Sequence, residues 1–72
     1  MKKSEVLYFI YECFENVSDE CSLDMILGYV NAICETDYKY NETLHFMNYY
    51  SKCKNPLFKK VKRCNHVYFK AL

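Results

Sequence analysis

The hydrophobic pattern of this chain changes period at its single proline, Pro56. Upstream, apolar side chains recur at helical spacing. Val6, Phe9, Ile10, Cys13, Phe14 and Val17 form one i, i+3, i+4, i+7 stripe, and Leu23, Ile26, Leu27, Val30, Ile33 and Cys34 form a second. Downstream, residues 57–61 and 66–72 are β-branched and aromatic runs with period-2 character. Proline has no amide hydrogen and clashes with the preceding helical turn, so no helix continues through position 56. The pattern predicts an α+β fold, mostly α: a three-helix bundle followed by a C-terminal β-hairpin, in one domain spanning residues 1–72.

Local chemistry supplies the boundaries. The first helix is expected over residues 4–17, broken by Ser18-Asp19-Glu20, whose side chains compete for backbone hydrogen bonds. Ser22 suits the N-cap of the second helix, with Asp24 favouring the positive end of its dipole. Gly28 interrupts that helix and suggests close approach of another backbone. Asp37 or Asn41 is the expected cap of a third helix reaching about Lys52, with Leu44, Phe46, Met47 and Tyr50 as its buried positions. The hairpin is expected to turn through Lys62-Arg63-Cys64-Asn65, without the Asn-Gly or Asp-Gly of the strongest hairpin signals.

Seventy-two residues exclude a multi-domain enzyme with a closed cleft, and a hydrophobic content of 51% argues against disorder. No apolar run approaches the roughly 18–20 residues of a membrane span, and no segment reads as a signal peptide. An intracellular location and no membrane partner are therefore expected. Five cysteines, an odd number, argue against a secreted disulfide framework; Cys13 and Cys34 are expected in the core. His45, Cys53, Cys64 and His66 are the one candidate metal set, and their spacing is unlike that of zinc sites, so no metal is expected.

Charge is strongly polarised. Residues 1–37 carry two cations (Lys2, Lys3) against eight acids, net −6, whereas residues 38–72 carry eight cations against Glu42 alone, net +7. Such asymmetry points to a polyanionic partner for the basic half, unless the halves simply neutralise each other on folding.

The segment Asn55-Pro56-Leu57-Phe58-Lys59-Lys60-Val61, continued by Val67-Tyr68-Phe69-Lys70-Ala71-Leu72, resembles the closing part of the HARE-HTH and forkhead-like winged-helix families. In those families a Phe-x-x-Val strand leads through a basic wing to an aromatic strand ending in Leu. The wing glycines are absent here. The resemblance implies double-stranded DNA as partner, a role in transcription or chromatin, and a nuclear location in a eukaryotic or eukaryote-infecting setting, otherwise a cytoplasmic one.

In that arrangement the third helix would read base edges. Asn41, His45, Asn48 and Lys52, spaced i, i+4, i+7 and i+11, share one helical face, and their side-chain types suit base contact. Lys54, Lys59, Lys60, Lys62, Arg63 and Lys70 are the candidate phosphate contacts. Lys59-Lys60-Val61-Lys62-Arg63 also matches a nuclear-localisation pattern. The rival expectation is a protein-interaction module or homodimer without nucleic-acid affinity. Thirteen Phe and Tyr exceed what one small core can bury, and Tyr8, Tyr11 and Tyr49 fall off the stripes as a candidate partner surface. No nucleophile–base pair and no glycine-rich phosphate loop are present, so neither catalysis nor a cofactor is expected.

Overall fold

In the computed structural model, which describes residues 3–72, the chain runs α1 (Lys3–Asn16), β1 (Glu20–Ser22), α2 (Leu23–Cys34), α3 (Tyr40–Lys52), β2 (Phe58–Arg63) and β3 (His66–Ala71). Lys2, one of the two cations of the acidic half, lies outside the described residues. The expected α+β fold of helices followed by a C-terminal hairpin is present. A third strand, β1, joins it, and the antiparallel sheet has the order β1-β3-β2.

The core lies where the helical stripes meet the sheet's inner face. Ile10, Cys13 and Phe14 come from α1, Leu23, Ile26 and Val30 from α2, and Met47 from α3; Cys21, Phe58 and Phe69 cover them from the strands. Each large apolar side chain so buried contributes roughly 1.5–3 kcal/mol relative to exposure. The ends of the stripes fall outside this volume. Helix α1 stops at Asn16, leaving Val17 51% exposed, and Ile33 is equally open at the end of α2. Leu27 and Cys34 are half-buried.

Ser22 holds two elements at once. Its backbone pairs with Tyr68 at the end of β1, while its hydroxyl accepts the Met25 amide at 3.2 Å and caps α2 as expected. Gly28 is not a point of close approach: a Cβ placed there would meet nothing within 4 Å. Neither Asp37 nor Asn41 caps α3. Lys39 occupies the N-cap, and Glu42 reaches back to accept its backbone N–H at 2.9 Å. The turn before it is held by Asn31 of α2. The Asn31 amide oxygen accepts from Thr36 Oγ1 and the Tyr38 N–H, both at 2.9 Å, and its nitrogen donates to the Tyr38 carbonyl at 3.1 Å.

The hairpin is longer and tighter than expected. Lys62 and Arg63 belong to β2, paired with Val67 and His66, so the turn is Cys64-Asn65 alone. Both turn residues have positive φ, 45° and 69°, as a two-residue type I′ connection requires. Asparagine tolerates that conformation, which is how the chain makes the turn without glycine.

Candidate nucleic-acid interface

The face of α3 turned from the core is polar. At 100° per residue, Asn41, His45, Asn48 and Lys52 fall within a sector of about 60°. Asn41, His45 and Lys52 are exposed and Asn48 is half-buried. Strand β2 is set beside this helix by the connection between them, in which the Leu57 N–H donates to the Tyr50 carbonyl at 2.8 Å.

Side chains alternate across a strand, and this divides the candidate cations. Phe58 faces the core, so Lys60 and Lys62 share the helix-facing side of β2, while Lys59 and Arg63 take the outer side. The Lys60 stem lies alongside the core edge and its Nζ donates to Asn48 Oδ1 at 3.0 Å. Partial burial, followed by the positive charges of Lys52 and Lys62, lowers the Lys60 pKa. Lys52, Lys60 and Lys62 thus form one positive cluster against the exposed face of α3. Lys54 is exposed in the connection after the helix.

The remaining cations lie on the other side of the sheet. Across the strands, Lys59 pairs with Lys70, which pairs with Glu20 of β1. Glu20 Oε2 meets Arg63 Nη2 at 3.0 Å and Lys70 Nζ at 3.7 Å. The six expected phosphate contacts therefore do not form one surface, and two of them share a carboxylate. Besides Glu20, the acidic half ion-pairs with the basic half among the described residues only through Asp37, which meets Lys39 at 2.9 Å across the boundary between the halves. Lys52, Lys54, Lys60 and Lys62 have no ion-paired carboxylate among the described residues.

The tyrosines divide as well. Tyr8 and Tyr49 are 61% and 62% exposed, but Tyr11 packs its ring on Phe58 at a centroid distance of 5.5 Å and serves the core. A cleft of about 230 Å³ opens between α1, α2 and the start of α3, walled by Val6, Ile10, Val30 and Phe46. Its one carboxylate, Glu42, is held by the cap of α3. Among the described residues no three His, Cys, Asp or Glu side chains gather as metal ligands, so His45, Cys53, Cys64 and His66 do not converge. Likewise, no described helix is long and apolar enough to cross a membrane.

Sequence reasoning misses Glu20 as the counter-ion of the outer face, because nothing in the pattern marks β1 as a strand. The division of the lysines is available in principle from period-2 alternation, once the strand is carried through Arg63. Comparison with protein families, with curated proteins and with solved structures returns no match.

Proposed function

We propose that this chain is a small winged-helix DNA-binding protein, a regulator of transcription or chromatin, that lays the polar face of α3 in the major groove with the β2–β3 hairpin on the neighbouring backbone. The observation that carries this reading is the bond from Lys60 to Asn48. It seats the basic strand against the exposed face of α3, so that Lys52, Lys60 and Lys62 act as one field with no carboxylate ion-paired to it among the described residues. Clustered positive charge of this kind supplies most of the affinity for a phosphate backbone. The order helix, strand, helix, helix, strand, strand also supports it, being the layout that places a hairpin beside the third helix.

Within this reading Asn41 and His45 offer free polar groups to base edges. Asn48 offers its amide nitrogen, its oxygen being turned to Lys60. Lys52, expected at base edges, lies beside Lys60 and joins Lys54, Lys60 and Lys62 on the phosphates, and Lys59, Arg63 and Lys70 add charge from the far side of the hairpin. The test is a duplex titration at several salt concentrations. Four phosphate contacts give a log–log slope of roughly −3.6. Absence of binding, or affinity indifferent to salt, would reject the reading.

A second reading, docking to a protein or to a second copy of the chain, is favoured by the exposed rings of Tyr8 and Tyr49. It predicts self-association or partner retention that is lost in the Tyr8→Ala, Tyr49→Ala double variant.

A further inference from the structure

Cys13, in the last turn of α1, and Cys21, at the centre of β1, are both fully buried, whereas Cys34 and Cys53 are half-buried and Cys64 is exposed. The Cys13 and Cys21 sulfurs lie 3.7 Å apart, with the Cys13 thiol donating to Cys21 Sγ. The Cys21 thiol is held in place by the Ser18 carbonyl at 3.1 Å and the Cys13 carbonyl at 3.9 Å. The excursion between the two is short and internally tied, by Val17 N–H to the Cys13 carbonyl at 2.9 Å and by Glu20 N–H to Ser18 Oγ at 3.4 Å. The two sulfurs are already in contact, and a disulfide would bring them from 3.7 Å to about 2.05 Å.

We propose that Cys13 and Cys21 are a modification site, oxidised by a low-molecular-weight disulfide of the glutathione class to an intramolecular disulfide that staples the end of α1 to β1. One protein thiol loses its proton, and its thiolate attacks a sulfur of the external disulfide, expelling one small thiolate. The second protein thiol, deprotonated in turn, attacks the protein sulfur of that mixed disulfide and expels the other. Two protein thiols are oxidised by two electrons, the external disulfide is reduced to two thiols, and the two protons pass to the departing thiolates.

Burial sets when this happens. Neither sulfur is open to solvent in the folded chain, and desolvation pushes the Cys13 thiol up to about 12 and raises that of Cys21. The bond therefore closes during folding or on opening of the α1–β1 corner, and once closed it is shielded from reductants. The staple would fix the strand that carries both Glu20, the counter-ion of Arg63 and Lys70, and Ser22, the cap of α2. None of this depends on the DNA-binding reading.

The test uses the full chain with Cys34→Ser, Cys53→Ser and Cys64→Ser, refolded in a mixture of oxidised and reduced glutathione. The expected product is a monomer whose intact mass has lost two hydrogens, whose linked peptides contain Cys13 and Cys21, and whose melting midpoint lies above that of the same protein after reduction. A product with both thiols free, one linked only between molecules, or one that melts at or below the reduced form overturns the proposal. Should the triple variant not fold, the unsubstituted chain with every disulfide located by peptide mapping gives the same decision.

Discussion

Glu20 and Arg63 join opposite edges of the sheet: one carboxylate oxygen on β1 meets the guanidinium at the tip of β2 at 3.0 Å, spanning β3 between them. Lys70 shares the same oxygen at 3.7 Å. The Glu20 side chain is only 16% exposed while its two cations stay largely in water, so Glu20→Gln is expected to cost about 1–2 kcal/mol in a denaturant titration. Its effect on charge is larger, because two cations lose their counter-ion. If they reach the backbone in the DNA complex, the salt slope steepens by up to about 0.9 for each further phosphate neutralised. An unchanged slope would place the outer face of the sheet away from the duplex.

Within α2, two neighbouring aliphatic side chains should behave differently. Ile26 is fully buried and Leu27 only half so. Ile26→Ala is expected to cost about 2–5 kcal/mol, and Leu27→Ala clearly less. A domain of this size has a total stability of roughly 4–11 kcal/mol, so Ile26→Ala approaches unfolding. Equal losses in urea titrations would contradict the orientation of α2.

The hairpin turn offers a stabilising change. Asn65 sits at φ 69°, where glycine has no Cβ penalty, and Cys64 at 45° is a side chain in left-handed conformation. Replacing the pair by Asn-Gly, the preferred type I′ sequence, is expected to raise stability by about 1 kcal/mol, read as a higher denaturation midpoint. A lower midpoint would argue against a two-residue turn.

In the reduced protein, alkali should act through Cys13. Burial first, then the charge and hydrogen bond of Cys21, raise its thiol from 9.0 to about 12. Because the folded-state pKa lies above the unfolded one, the stabilisation is complete below pH 9. It is lost progressively as the pH rises toward 12, where the unfolded chain releases a proton that the folded chain retains. The informative quantity is the difference from Cys13→Ala, whose melting midpoint should fall less steeply above pH 9. Parallel profiles would show that Cys13 is not protected from ionisation.

The three helices are legible because their apolar residues repeat at helical spacing within one segment, and the cap at Ser22 because it depends on residues three apart. Strand β1 is not. Glu20-Cys21-Ser22 is too short to display alternation, and its partners Tyr68, Phe69 and Lys70 lie far along the chain. The same non-local pairing hides the role of Glu20 and splits the basic residues between two faces. Tyr11 looks free in the sequence because it stands beside its helical stripe; Phe58, arriving from β2, covers it. Lys62 and Arg63 read as turn because charge clusters resemble loops, yet in strand form their backbones pair while their side chains stay in water. The polar face of α3 can be drawn from spacing alone; the lysine bonded to it cannot.

The amide of Asn31 grips the segment leading into α3 through both its oxygen and its nitrogen, at Thr36 and Tyr38. The approach to α3 is thus held by a residue on another helix, outside the face that α3 presents. Position 31 is a place where the aim of the row from Asn41 to Lys52 can be changed without altering any residue in it. What the row contains and where it is aimed can therefore vary separately.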